Sequence, residues 1–180
     1  MQAILITAYK NIEHLEEIVR FFGEEFNIYI HIDKKSKITT ESIDELLKNK
    51  NIAYISRQYK INWGGLNHLL AIVELAEQAF SDERNEYFHL ITGHDFPIKS
   101  KNDFSDFINK NKHSNYMEYH KLPYADWPEG GMDRLSRYNL YDLIDGRTGS
   151  KEILLKRFSK IQKLLGIKRR LSNNFPDQYG

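Results

Sequence analysis

The sequence contains no cysteine among its 180 residues. That excludes disulfides, thiolate metal sites and a cysteine nucleophile, and it fits a reducing compartment. Net charge is nearly absent: 26 Lys and Arg stand against 25 Asp and Glu. A chain that binds nucleic acid carries a basic excess, so no nucleic-acid partner is expected. The basic residues do gather late, between Lys151 and Lys168-Arg169-Arg170. A solvated helix face accounts for them, and so would contact with an acidic surface. No apolar run approaches membrane-spanning length, and Ala3-Ile4-Leu5-Ile6 is too short for a signal peptide. Proline is scarce, with four in the chain, two of them at Pro123 and Pro128 in one irregular stretch.

Several chemical signatures are also missing. There is no phosphate loop of the G-x-x-x-x-G-K type, no G-x-G-x-x-G and no G-x-S-x-G elbow. Nor is there an Asp-x-Asp, the acidic pair that holds a divalent cation on a nucleotide-sugar pyrophosphate. What is present is a chain 41% apolar and 28% charged, long enough to bury one substantial core. Its 11 Tyr and 10 Phe suit stacking on sugars or bases, although core filling accounts for most such rings.

Along the chain, apolar runs of strand length alternate with stretches of helical spacing. Strands are expected at Ala3–Thr7, Asn27–Ile32, Ile52–Ile55 and Tyr87–Thr92, with another at Asn115–Tyr119. The first helix runs from an Asn11 N-cap through Phe22 and stops at Gly23, and Ser42–Leu47 forms a short one. Ile61–Gly65 is a glycine-hinged loop. A strong helix follows over Leu66–Phe80, with Leu69, Leu70, Ile72, Val73, Leu75 and Ala76 as its buried side. Ser100 caps a helix through Ile108 that turns Phe104 and Phe107 inward. This order is the signature of an α/β fold with a mostly parallel sheet. After Lys121 the chain becomes irregular, and Met132–Leu143 reads as either helical or extended. Gly146–Gly149 is a break, and Lys151–Leu165 is an amphipathic helix with Ile153, Leu154, Phe158, Ile161, Leu164 and Leu165 inward. Residues 1–120 are expected to form the α/β core, and 121–180 a further segment of the same domain that carries the amphipathic helix.

Three strand ends carry polar groups: Thr7-Ala8-Tyr9, His31-Ile32-Asp33 and Gly93-His94-Asp95. In a parallel sheet all three share the carboxyl edge, where open α/β sheets hold ligands. Asp33 could accept from a ribose or base N–H, or cap the following turn. His94-Asp95 could belong to a site, or Asp95 could merely bond nearby backbone N–H groups. His31 and Asp33 with His94 and Asp95 also make the inventory of a metal-dependent phosphohydrolase. The glycines of Trp63-Gly64-Gly65 could present N–H groups to an anion, or form a tight turn around a packed Trp. Glu118, Arg134 and Arg137 lie among aromatics, as residues lining a sugar site do, and surface ion pairing explains each equally well.

Taken in order, Ile4-Leu5-Ile6-Thr7-Ala8-Tyr9-Lys10, Tyr29-Ile30-His31-Ile32-Asp33-Lys34-Lys35-Ser36, Asn62-Trp63-Gly64-Gly65 and Leu90-Ile91-Thr92-Gly93-His94-Asp95-Phe96-Pro97-Ile98-Lys99-Ser100 resemble the core-2/I-branching family. This family of β-1,6-N-acetylglucosaminyltransferases includes the peptide O-xylosyltransferases. Met132-Asp133-Arg134-Leu135 with Tyr138 resembles it more loosely. The resemblance implies a GT-A-like nucleotide-sugar-binding fold, with residues 1–120 as its nucleotide-sugar-binding core and 121–180 as an acceptor-side segment of the same domain. It also implies inverting, metal-independent transfer of a sugar, by default GlcNAc, from a UDP-sugar donor to a glycan or saccharide hydroxyl, with no cofactor.

By position, Thr7, Ala8, Tyr9 and Asp33 would then line the uridine site, with Trp63 and Asp95 supporting its floor. His94, Asp95, Glu118, Arg134 and Arg137 would border the donor and acceptor pocket. The family's catalytic base is a Glu further downstream, followed by an Arg and a Lys for the diphosphate. The base is therefore expected beyond Gly180, and the chain reads as the amino-terminal portion of a longer enzyme. The missing cysteine and anchor, with a Lys/Asn/Ile-rich composition, fit a bacterial member. Such a member would work in the cytoplasm on surface polysaccharide, at the inner face of the membrane, where peripheral contact is compatible with the sequence. The alternatives are the metal phosphohydrolase and a non-catalytic domain that binds a nucleotide or glycan.

Overall fold

The computed structural model describes residues 1–147 and 149–170. Thr148, within the expected break, and the closing stretch with Phe175-Pro176 lie outside the described residues. The chain divides into two compact units. One comprises Met1–Ile61 with Gly65–His113, and the other Asn62–Gly64 with Ser114 onward.

The first unit is a four-stranded parallel sheet with helices on both faces, the GT-A-like α/β architecture. Its strands are β1 (Gln2–Ala8), β2 (Phe26–Ile32), β3 (Ile52–Ser56) and β4 (Tyr87–Thr92), in the order β3-β2-β1-β4. Side-chain alternation divides β1 and β2 cleanly between the faces. Ile4, Ile6, Ile28, Ile30 and Ile32 point to one core, closed by Leu15, Ile18 and Phe22 of α1 (Ile12–Phe22) and Leu46 of α2 (Thr40–Leu46). Ala3, Leu5 and Tyr29 point to the other, closed by Leu75 and Ala79 of α3 (Leu66–Phe80). Each such Ile, Leu or Phe contributes roughly 1.5–3 kcal/mol by leaving water.

All seven residues of β2 are buried, polar ones included. Asn27 and Tyr29 are satisfied locally, whereas the buried Nδ1 of His31 has no hydrogen-bond partner among the described residues. Asn27 Nδ2 donates to Asn85 Oδ1 at 2.8 Å, and Asn85 Nδ2 donates to the Tyr29 hydroxyl at 2.9 Å. Gly23 ends α1 at φ 62, a conformation that Cβ-bearing residues resist, and Asn51 Nδ2 closes the helix by donating to the Val19 and Gly23 carbonyls. Ser100 accepts from the Asp103 N–H and starts α4 (Lys101–Lys110), as its sequence signal requires.

Several expectations need correction. Asn11 sits before α1 but in the left-handed region at φ 58, and its side chain makes no cap bond. The short helix starts earlier than Ser42, because Thr39 accepts from the Ser42 N–H. In α3, Leu69 and Val73 are exposed and Ala71, Leu75 and Ala79 are buried. The sheet is wide enough to cover only one narrow stripe of that helix, and small residues let it approach closely. Phe107 of α4 is exposed, and Ile108 takes the buried place.

The expected strand at Asn115–Tyr119 does not form: residues 114–120 have no regular structure, and Tyr116, Met117 and Tyr119 are exposed. Its composition suits a strand, but among the described residues no ladder pairs with it, and an unpaired strand is not stable.

Among the described residues the second unit is built from turns, a short 3-10 helix at Pro128–Gly131 and two α-helices, α5 (Asp133–Ser136) and α6 (Gly149–Leu164). Within Met132–Leu143 the chain is helical only over α5. Of the six residues expected to point inward from α6, Ile153, Leu154, Ile161, Leu164 and Leu165 are exposed, and Phe158 is half-buried. The buried residues of that helix are Leu155 and Gln162. Gln162 holds both sides of the Tyr138 backbone, accepting from its N–H at 2.9 Å and donating to its carbonyl at 3.0 Å. This polar clamp fixes the rotation of the helix against its apolar periodicity.

Candidate active site

The strand order reverses beside β1: β2 and β3 add on one side, and β4 on the other. In open α/β sheets such a switch point opens a crevice at the carboxyl edge. Here Thr7 pairs in register with His31 on one side and with Thr92 on the other, and His31 pairs with Ser56. The strand ends singled out from the sequence are therefore one continuous row. At the reversal Gly93 packs on β1 and donates its N–H to the Thr7 carbonyl at 2.9 Å. A Cβ at Gly93 would lie 3.0 Å from the Ala8 Cβ, so the close approach requires glycine.

Each residue of the row has a definite local role. Asp33 is 2% exposed. Its Oδ1 accepts from the backbone N–H of Lys35 at 2.9 Å and of Ile61 at 3.2 Å, and Lys35 Nζ stands 4.0 Å from its Oδ2. It ties the loop after β2 to the segment before α3. His31 is fully buried; its Nε2 accepts from the Tyr59 N–H at 3.1 Å, which assigns the ring proton to Nδ1. Burial pushes its pKa below the ordinary histidine value and keeps the ring neutral. Thr7 Oγ1 is 3.3 Å from His68 Nε2 of α3, and Glu74 of the same helix accepts from the hydroxyls of Tyr54 and Ser56 at 2.9 and 2.8 Å.

Asp95 is exposed. Its Oδ2 accepts from the Thr92 N–H at 2.7 Å, and its own N–H donates to the Thr92 carbonyl at 3.1 Å. His94, also exposed, donates its N–H to Thr92 Oγ1. The pair makes a self-braced corner.

His31, Asp33, His94 and Asp95 do not assemble a metal site. The Nε2 lone pair of His31 and Oδ1 of Asp33 are already engaged, and no three His, Asp or Glu are grouped for ligation among the described residues. The phosphohydrolase reading loses its chemistry on these contacts.

Three cavities of the first unit differ in character. One of about 410 Å³ lies at the amino-terminal edge around Gln2 and Phe26, the wrong end of the strands for a ligand. One of about 310 Å³ lies under the Asp95–Pro97 corner, with walls of Phe22, His89, Phe96, Ile98 and Phe104. Burial holds the pKa of His89 down at about 4, so that wall is uncharged at neutral pH. The third, about 510 Å³, lies at the carboxyl edge between the loop after β1 and the loop after β2. Tyr9, Lys10, Lys35, Lys37 and Thr39 line it, and Asn11 and Ile12 bring the first turn of α1 to its wall. That turn has no side-chain cap, and its N–H groups carry the positive end of the helix dipole. Three Lys against the one carboxylate of Glu13 leave the lining net cationic, and Ile12 and Ile38 are its apolar part, a lining suited to an anion joined to a ring. The sequence signal for it was three Lys in the four residues 34–37, directly after a strand end.

In the second unit, Asn62 is buried and Nδ2 donates to the Tyr141 and Asp142 carbonyls, while Trp63 beside it is exposed. Glu118 is exposed in the irregular stretch, 3.4 Å from His120 Nε2. Arg134 lies over the Trp127 ring, 4.2 Å from its centroid. Arg137 bonds Glu129 at 2.5 Å and Ser159 at 3.2 Å, and with Lys163 it holds the Glu129 pKa down at about 2. Arg137 therefore ties α6 to the turn at Glu129.

A family model described as Core-2/I-Branching enzyme matches residues 3–158. The chain belongs to the Core-2/I-branching enzyme family. The match covers every strand, the carboxyl-edge row and most of the second unit, so it rests on the whole arrangement and not on one motif. No curated protein matches the chain. Membership makes the protein a glycosyltransferase, with a nucleotide-sugar donor and a glycan acceptor. No helix among the described residues is long and apolar enough to cross a membrane.

Proposed function

We propose that this glycosyltransferase moves a sugar from a UDP-sugar to a glycan hydroxyl with inversion and without a metal, and that the donor's nucleotide occupies the lysine-lined cavity at the carboxyl edge. That cavity is the observation that carries the reading: Lys10, Lys35 and Lys37 surround about 510 Å³ beside the uncapped start of α1. A diphosphate needs compensating positive charge. Three ammonium groups and a helix N-terminus supply it where other nucleotide-sugar enzymes use a cation on an Asp-x-Asp.

Tyr9 lines that cavity and is the proposed uridine contact, with Ala8 beside it at the strand end; Thr7, whose hydroxyl meets His68 of α3, faces the other side of the sheet and would support the site from there. Asp33 acts there chiefly by holding the Lys35 loop in place through its backbone bonds. The Gly93–Asp95 corner borders the donor, and Glu118 and Arg134 are the proposed contacts for acceptor hydroxyls. In the reaction a carboxylate removes the acceptor hydroxyl proton. The oxygen attacks the anomeric carbon, the bond to the β-phosphate breaks, and UDP leaves with the electron pair. GlcNAc is the default sugar, and a bacterial surface polysaccharide the proposed setting.

Calorimetry with UDP, UMP and uridine in EDTA tests the donor site. UDP should bind more tightly than UMP, and UMP more tightly than uridine. Replacing Lys35 and Lys37 together by Ala should weaken UDP about tenfold or more, since charge-assisted bonds contribute roughly 1.5–3 kcal/mol each, while uridine is barely affected. Absence of UDP binding, or equal affinity for UDP and uridine, would refute the proposal. UDP release from a panel of UDP-sugars with a saccharide acceptor then identifies the donor.

A further inference from the structure

We infer that α6 is a peripheral membrane-binding element that lies along an anionic bilayer surface. The observation is a helix that leaves most of its aliphatic surface outside. Its inner side combines Leu155 with polar contacts: Gln162, 2% exposed, clamps the Tyr138 backbone, and Ser159 accepts from Arg137, while Lys163 at the surface meets Glu129 at 3.0 Å. Five of its apolar residues face out. Leu164 is 85% exposed and Leu165 65%, with Ile153, Leu154 and Ile161 each above half. At 3.6 residues per turn these five span roughly 120° of the circumference, a sector about 18 Å long within which Arg157 also projects. Because Gln162 fixes the rotation, the sector is held outward by hydrogen bonds.

Charge identifies the occupant. From Gly149 to Arg170 the only acidic residue is Glu152, against eight Lys and Arg, whereas the whole chain has a net charge of +1. Lys156, Lys160 and Lys163 flank the apolar sector on one side, and Lys168-Arg169-Arg170 follow the helix. An apolar sector bordered by basic residues with long stems matches the boundary between acyl chains and anionic headgroups. A second copy would bring two equally basic surfaces together, and like charges oppose that contact. Nucleic acid would use the charge and leave the apolar sector in water.

The test is co-sedimentation of the 180-residue chain with vesicles. One set is phosphatidylcholine alone, and the other contains about one-third phosphatidylglycerol, a fraction that gives a strongly negative surface. The chain should partition at least about tenfold better onto the anionic vesicles and be released by high salt. Leu154→Glu with Ile161→Glu should abolish the preference while leaving the circular dichroism unchanged, because both side chains are exposed. Lys156→Glu with Lys160→Glu should reduce it, and Phe80→Glu, an exposed apolar change in the first unit, should leave it intact.

Equal partition onto neutral vesicles, or the same loss with Phe80→Glu, would overturn the inference. So would a dimer in light scattering that the Leu154/Ile161 variant dissolves, or tighter retention on a DNA duplex than on vesicles. Since UDP binding is measured separately, failure here leaves the donor-site reading standing.

Discussion

Acidification from pH 7.5 to 4.5 should destabilise the first unit by an amount traceable to its buried histidines. His89 is packed between Tyr87 and Phe104, with ring centroids at 5.0 and 4.7 Å, and its Nε2 lies 2.8 Å from Gln2 Oε1. Burial lowers its pKa from 6.5 to about 4. An unfolded chain would protonate the same ring near pH 6.5, so it binds the proton first, and stability falls as pH drops through the interval from 6.5 to 4. At 1.36 kcal/mol per unit the full shift corresponds to about 3 kcal/mol; discounting for the ring's partial exposure leaves about 2 kcal/mol.

His31 is shifted in the same direction by burial and adds to the loss. Asp82 and Glu129, both held near a pKa of 2 by their basic partners, give up their contribution only as pH falls from their ordinary values of 3.8 and 4.5 toward 2. The upper part of the curve therefore belongs to the histidines. Urea unfolding at half-unit intervals gives the slope, and the His89 ring resonance in a proton NMR titration gives its midpoint directly. A midpoint at or above 6, or stability flat between pH 6.5 and 5, would refute the burial argument.

Other outcomes follow from single contacts. Gly93→Ala places a Cβ 3.0 Å from the Ala8 Cβ and should cost about 1–3 kcal/mol in urea, because two strands must separate at the switch point. Asn62→Ala removes the donor shared by the Tyr141 and Asp142 carbonyls, and should cost a similar 1–3 kcal/mol. Asn51→Ala strips the C-terminal closure of α1 and should lower the melting temperature by several degrees, with the loss of helical circular dichroism confined to the transition.

Burial on two faces made the sheet legible. A run such as Phe26–Ile32 can be strand or core helix by periodicity alone, but its length and its Ile-rich composition settle it, and β1 reads the same way; β4, an edge strand with Phe88 and Leu90 exposed, was legible from its length and its flanking polar turns instead. The helices α3 and α6 were legible as helices and misread as surfaces. Leucine at the right spacing tells which residues share a side. Whether that side meets a core depends on what packs there. In α3 the stripe of Ala71, Leu75 and Ala79 won because small side chains allow close approach. In α6 one buried Gln outweighed five aliphatic residues because a hydrogen-bonded backbone clamp is directional and hydrophobic contact is not.

The Asn115–Tyr119 strand failed for a related reason: strand propensity is a statement about a partner, and a single sequence does not supply one. The strand-end row was visible as three separate polar clusters. Its continuity needed the register, and the lysine cavity needed two loops 25 residues apart to meet.

The two faces of the carboxyl edge differ because of where β1 and β2 place their last side chains. Thr7, His31 and Ser56 project toward α3, and that helix answers with His68 and Glu74. The hydroxyls on that side are spent on His68 and Glu74, and the His31 ring beside them, held neutral by burial, keeps an Nδ1 unpartnered among the described residues. On the opposite face the strands finish in Ala8 and Ile32, which offer no polar atoms. The character of the crevice there passes to the loops, and the loops bring Lys10, Lys35 and Lys37. A shift of one residue in either strand would exchange the faces and turn the buried histidine toward the lysines. Asp33 stands where the two regimes join: its side chain is buried with the neutral network, yet the N–H groups it accepts belong to the lysine loop and to the segment entering α3. A carboxylate placed to grip backbone on both sides stiffens the cationic wall, and its second oxygen draws the Lys35 ammonium to 4.0 Å. An anionic donor is therefore expected to meet a wall already in place rather than one it must assemble.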